Sequence, residues 1–471
     1  MNHLKIIQGG MGVGVSNWKL AKAVSLAGGL GVVSSTVLDN LMVRRLNKKD
    51  EATKRALLNF PLKNIADKIL DKYYGKVSNI GGYSQVPFFS IDINQELIEL
   101  TVAANFVEVY LAKEGHSNPI GINLLEKVQM PTLYSLYGAM LADVDYVIMG
   151  AGIPREIPGI LDKFAQGLDA ELNLYVTGVD SGDSYKMYFS PEKFMGKKLQ
   201  LKRPFFFPII SSNILATTLL KKSNGKIDGL IIENHTAGGH NAPPRTKGVF
   251  ADDGSPVYGD KDIVDFDKIK SLGVPFFLAG GYVTPEVIGK TFNEIGAAGI
   301  QVGTIFALTQ ESGFTEDIKL TIINKIKNNA LKIYTDPLAS PTGFPFKVAQ
   351  IEGTLSVEDI YNERPRICNL RYLAELYKNE FGSIGYRCPA EPIEDYIKKG
   401  GNIEETKGRK CLCNALLANI GYGSTYKNGY KEPYLITLGD SATLISHLLP
   451  EEGLPSAKGV TEKLKSYIGN T

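Results

Sequence analysis

Ile6-Ile7-Gln8-Gly9-Gly10-Met11-Gly12-Val13-Gly14 joins the first apolar run of the chain to its first helical segment. A strand that ends in a glycine-rich turn and feeds a helix opens either a doubly wound sheet that binds a dinucleotide or a (β/α)8 barrel. The dinucleotide fingerprint requires G-x-G-x-x-G. Counted from Gly10 or from Gly12, the third glycine falls on Val15 or Asn17, so the spacing fails in both registers. The turn therefore points to the barrel.

Downstream sequence agrees. Apolar runs that predict strands lie at 4–8, 30–34, 119–124, 145–149, 205–211, 228–233, 275–279 and 298–303. Runs such as Phe276-Phe277-Leu278-Ala279 are apolar on both faces, as expected of parallel strands covered by helices. Helical periodicity predicts helices over 18–26, 95–112, 132–141, 214–221, 263–271 and 285–292, the last with a proline in its first turn. The expected fold class is α/β, a TIM barrel spanning residues 1–315. Two insertions interrupt it. Residues 39–90 carry charged helical sequence (46–58 and 64–72) and a Gly81-Gly82 break. Residues 171–203 read as a hairpin, 171–176 and 185–189, around Asp180-Ser181-Gly182-Asp183. Residues 316–471 lose the βα period and read as a mostly helical extension with proline-rich loops, an appended layer or lid rather than more barrel.

Composition narrows the function classes. Lys+Arg 52 against Asp+Glu 50 gives a formal charge of +2, with 22% charged and 44% hydrophobic residues. That balance excludes a polyelectrolyte nucleic-acid binder and an acidic disordered tail. The start, Met1-Asn2-His3-Leu4-Lys5, has no signal-peptide pattern, and no apolar run is long enough to span a bilayer. A soluble cytoplasmic protein with a small-molecule substrate is expected, with no nucleic-acid or membrane partner and with homo-oligomerisation left open. Lys197-Lys198, Lys202-Arg203 and Lys221-Lys222 read as ordinary solvated surface.

Three segments carry chemistry. Glu233-Asn234-His235-Thr236-Ala237-Gly238-Gly239-His240-Asn241 follows a buried strand, where barrel enzymes place their reacting groups, and its glycines let backbone approach a ligand. Leu278-Ala279-Gly280-Gly281 and Gln301-Val302-Gly303-Thr304 end the last two strands, where exposed N–H groups suit a phosphate. His240, inside the Gly-Gly-His loop, is the foremost catalytic candidate. His3, His116 and His447 read as polar surface, and His235 stays in reserve.

Taken with Ile7-Gln8-Gly9-Gly10-Met11 and Gly121-Ile122-Asn123, these segments resemble the nitronate monooxygenases (2-nitropropane dioxygenases), which are FMN-dependent TIM-barrel enzymes. The resemblance spans about residues 1–312, and the flavin enoyl-acyl-carrier-protein reductases share nearly all of it. It implies that Gln8, Gly9, Gly10 and Met11 lie along the isoalloxazine and that Asn123 reaches the ring. Gly238, Gly280 or Gly281, and Gln301, Val302, Gly303 and Thr304 would hold the ribityl phosphate, Glu233 and Gly239 would complete the cofactor site, and His240 would be the general base. The family usually reads Gln, Gly, any residue, Glu before Ala-Gly-Gly-His; here Glu233 stands where a neutral amide is expected and Thr236 where a carboxylate is expected.

The activity implied is oxidation of alkyl nitronates, or of nitroalkanes deprotonated by His240, with molecular oxygen. The alternative is an NAD(P)H-dependent enoyl reductase that docks an acyl carrier protein, and a third reading is a non-catalytic flavin-binding subunit. All four cysteines, Cys368, Cys388, Cys411 and Cys413, cluster in the extension. They lack the paired C-x2-C knuckles of a typical zinc site, so buried free thiols and no bound metal are expected.

Overall fold

The computed structural model describes residues 4–77, 82–180 and 182–469. His3, Gly81 and Ser181 of the sequence reading lie outside the described residues. Eight parallel strands form one sheet: β1 (Ile6–Gln8), β2 (Gly31–Ser34), β3 (Ile120–Leu125), β4 (Tyr146–Gly150), β5 (Phe205–Ile210), β6 (Leu230–Glu233), β7 (Phe276–Ala279) and β8 (Gly299–Val302). Each lies within or overlaps one of the eight expected runs. β1 pairs with β8 in the register Gln8 to Val302, and an Ile7–Leu30 bridge joins it to β2, so the sheet closes on itself as a TIM barrel.

The lower half of the barrel is plugged. Ile7, Leu30, Val32, Tyr146, Ile148, Phe207, Ile231 and Phe277 form one buried inner layer, with the Phe207 ring 5.5 Å from Phe277 and 5.3 Å from Tyr146. Aromatic side chains at the base and glycines at the C-terminal strand ends leave open space at one end only.

Sequence sets the helix starts. Asn17 Oδ1 accepts from the Leu20 N–H at 2.9 Å and begins the helix Trp18–Leu26, which ends the glycine-rich turn after β1. The helix expected over 46–58 is two helices, Leu38–Asn47 and Glu51–Leu58. Asp50 breaks the run because its carboxylate caps the second, accepting from the Thr53 N–H at 2.7 Å. A helix the periodicity missed, Ile157–Ala165, lies between β4 and β5.

The insertion after β4 pairs Ala170–Asn173 with Lys186–Phe189 as the expected hairpin, but Val176–Thr177 turns away and pairs with Glu375–Lys378 of the C-terminal region. That region adds two hairpins to its helices: Ile333–Asp336 with Phe346–Ala349, and Glu375–Lys378 with Ile384–Arg387. The last helix, Ala457–Gly469, returns to the barrel and packs against Trp18–Leu26 and Pro285–Asn293, completing the outer helical ring. Residues beyond 315 are thus interleaved with the barrel. Among the described residues, no helix is long and apolar enough to cross a membrane.

Candidate active site

The C-terminal ends of the strands surround a cavity of about 210 Å3. β1 supplies Gly9, Gly10 and Met11, β3 supplies Asn123, and β6 supplies Glu233 with Gly238, Gly239 and His240 from the loop that follows it. β7 supplies Gly280 and Gly281, and β8 supplies Gln301, Val302, Gly303 and Thr304. The structure therefore brings together every expected site residue except Gln8.

Gln8 is wholly buried and faces away. Its amide donates to Ser16 Oγ at 2.7 Å and its carbonyl oxygen accepts from the Val32 N–H at 2.9 Å, tying the glycine-rich turn to β2. Ile7, its neighbour, fills the barrel interior. Strand alternation places the two on opposite faces, so a ligand in the mouth is out of reach of the Gln8 side chain.

Glycines here serve two different needs. A Cβ on Gly10 would fall 2.2 Å from Asn123 Cβ, and one on Gly238 would fall 2.9 Å from the Gly439 nitrogen, so both are required by packing. Gly280 and Gly281, at φ 96° and 91°, need the left-handed freedom of glycine to turn the chain after β7. Gly303 needs neither. Its φ is −111°, and a Cβ there would touch only the Met11 side chain, with sulfur at 3.6 Å. Nothing in the fold demands a glycine at 303; what its missing side chain keeps clear is the cavity.

The loop after β6 is held from above by the C-terminal region. Gly239 N–H donates to Thr437 Oγ1 at 2.8 Å, Asp440 N–H donates to the Thr236 carbonyl at 2.9 Å, and Lys347 N–H donates to the Gly239 carbonyl at 2.9 Å. Phe346, Leu416 and the run Thr437-Leu438-Gly439 line the same cavity. Sequence gave no sign of these residues, because they lie more than a hundred positions from the strand ends they cover. A lid built this way excludes water from one side of the cavity and strengthens electrostatic effects within it.

Two titratable groups face one another's surroundings with opposite shifts. His240 Nε2 lies 2.7 Å from Ser340 Oγ, its ring meets Phe346 edge-on at 4.9 Å, and burial, aided by the charge of Lys127, lowers its pKa to about 4. Burial raises the Glu233 carboxyl to about 8. At neutral pH the imidazole is therefore an uncharged proton acceptor and the carboxyl an uncharged proton donor. His235 is absent from this lining. Its ring stacks on Tyr258 at 4.2 Å and borders an adjoining cavity that Glu233 and His240 also reach.

No family model matches the chain, and no curated protein matches it in sequence. Among solved structures it is similar to a FabK variant from Thermotoga maritima, at 16% identity and a TM-score of 0.48, over 99% of this chain and 93% of that one. It is also similar to a nitroalkane oxidase from Streptomyces ansochromogenes, at 14% identity and a TM-score of 0.47, over 99% and 96%. A third is the enoyl reductase domain of MlnA from the macrolactin biosynthesis cluster of Bacillus amyloliquefaciens, at 12% identity and a TM-score of 0.49, over 99% and 94%. The chemistry of the cavity has to be read from its own residues.

Proposed function

We propose that the chain is a flavin-dependent oxidoreductase that binds FMN in the strand-end cavity and oxidises alkyl nitronates, with oxygen as electron acceptor. The observation that carries the reading is Gly303, a glycine that the backbone does not need and whose side-chain position is cavity space. Two further features fit a flavin. Gln301 presents a buried side-chain oxygen with no hydrogen-bond partner, a ready acceptor at the cavity wall. Gly280, Gly281 and Gly303 leave the two last strand ends free of side chains, the place where barrels hold phosphates. Bound FMN would supply the electron acceptor that side chains lack.

The residues present divide the remaining work. Neutral His240 accepts the α-proton of a nitroalkane, and the C–H electron pair moves into the C=N bond of the nitronate while the nitro oxygens take the negative charge. Protonated Glu233 can donate a hydrogen bond toward such an anion. The Phe346 and Leu438 side of the lid shields the centre from water.

The titration of Glu233 supplies a test. A carboxyl raised to about 8 is uncharged below that pH and anionic above it. With a preformed nitronate as substrate, kcat/KM should stay level from about pH 6 to 7 and fall above about pH 8, as one negative charge meets another. Glu233→Gln should abolish that alkaline fall. With the neutral nitroalkane as substrate, a rise above pH 8 in the wild type that is lost in Glu233→Gln would instead make the ionised carboxylate the base and remove His240 from that role.

A further inference from the structure

A second cavity, of about 220 Å3, opens beside the strand-end cavity and is as large as its neighbour. The two share four residues, Ala151, Ile209, Glu233 and His240. Both titratable groups of the proposed reaction therefore stand on a boundary, with space on either side of them. Gly280, Gly281, Gln301 and Gly303 line the strand-end cavity alone. With a cofactor held at those strand ends, the second cavity is the approach to Glu233 and His240 that stays open.

The boundary is built to stay low. Ala151 follows β4 at φ 56°, a left-handed conformation that strains a residue other than glycine, and it presents only a methyl group to the junction. Beyond it the inner wall is hydrocarbon. Ile209 and Ile210 come from β5, Leu215 from the helix Asn213–Lys222 and Phe344 from the C-terminal region.

Polar lining is engaged elsewhere or lies at the rim. The Tyr258 hydroxyl donates to the Ala242 carbonyl at 2.9 Å. Both carboxylate oxygens of Asp262 accept backbone N–H groups, from Arg245 at 2.9 Å and from Gly259 at 3.0 Å. Asn234, His235 and Arg245 are exposed. An interior of this kind accepts a hydrocarbon chain readily, whereas a charged or strongly hydrogen-bonding group would lose its water there without gaining partners.

We infer that the second cavity receives the tail of the substrate, and that the preferred substrates are nitronates carrying an unbranched hydrocarbon chain several carbons long. The carbon bearing nitrogen sits at Glu233 and His240, and the chain runs past Ile209 toward Leu215 and Phe344. The identity of the reacting group rests on the proposed function; the tail site rests on the second cavity. In this arrangement substrate exchanges through the exposed rim while the cofactor stays beneath the C-terminal lid.

The test is calorimetric titration of the full-length protein, as purified and after loading with FMN, with straight-chain alkanoates from propanoate to nonanoate. Their carboxylate presents a planar pair of oxygens, as a nitronate does, and they are not oxidised. The dissociation constant should fall by roughly two- to fourfold for each added methylene, until the chain reaches the rim. Leu215→Trp, which fills the cavity, should level the series, and the milder Leu215→Ala should weaken the longer probes severalfold. Since the probes do not turn over, a protein that shows the series yet oxidises no nitronate loses the proposed reaction and keeps the tail site. Affinity independent of chain length in the wild type, a series unchanged in both folded variants, or displacement of FMN by the longer alkanoates would each overturn the inference.

Discussion

His240→Ala loses activity on neutral nitroalkanes by roughly 10² to 10⁴-fold, the usual worth of a positioned acid or base, and retains much more of its activity on preformed nitronates. The split follows from the base role proposed for His240. Burial lowers the imidazole pKa to about 4, so the ring is already in its accepting form across the physiological range. Its nearest polar partner is Ser340 Oγ, at 2.7 Å from Nε2. A neutral substrate needs that acceptor, whereas an anion has already given up its proton. Flavin content should be unchanged, because the strand-end glycines are untouched. Parallel steady-state assays on a nitroalkane and its pre-ionised nitronate measure the split. Equal activity of variant and wild type on the neutral compound would transfer the base role to Glu233, the carboxyl of the same cavity.

Gly303→Val abolishes flavin retention and leaves the fold intact. Both halves follow from the same observation. At φ −111° the backbone tolerates a side chain, and the first carbon of that chain meets only the flexible Met11 thioether at 3.6 Å. Its two methyl groups would reach beyond that carbon into the cavity that Gly303 lines. Wild-type protein should release FMN, and no FAD, on denaturation. The valine variant should show an unaltered circular dichroism spectrum and less than about a tenth of the flavin, a shift of at least 1.4 kcal/mol in binding. Undiminished flavin in a folded variant would move the phosphate away from the β8 end. Gly238→Ala is a poor substitute for this test, since its Cβ would strike the Gly439 backbone and disturb the lid.

The barrel was open to sequence reading because parallel strands buried on both faces announce themselves as short apolar runs, and all eight were visible. The site was visible for a related reason. Strand-end glycines and His240 sit directly after those runs, so locating the strands locates the cavity. Gln8 shows where reading a motif as a block fails: Ile7 points into the barrel, so its neighbour must point away, and alternation already contained that answer. Asp50 similarly offered a capping signal that helical periodicity alone overrides.

Other features were closed to sequence for a physical reason. Thr437 reaches the β6 loop through its hydroxyl and Asp440 through its backbone N–H, both across about two hundred positions of sequence. The paired glycines Gly238 and Gly439, each needed by the other, are two hundred positions apart. The shift of His240 depends on Lys127 and on the surrounding apolar lid, neither of which its own loop contains. The C-terminal cysteines could be seen to cluster in sequence, but only folding shows them turned toward one cavity.

The most direct measurement is a pair of anaerobic titrations of the purified protein loaded with FMN, one with a preformed alkyl nitronate and one with NAD(P)H. The nitronate should bleach the flavin's visible band, air should restore it, and NAD(P)H should leave it unchanged. Rapid bleaching by NAD(P)H with no response to nitronate would contradict the proposed function and make the chain a nicotinamide-dependent reductase on the same barrel.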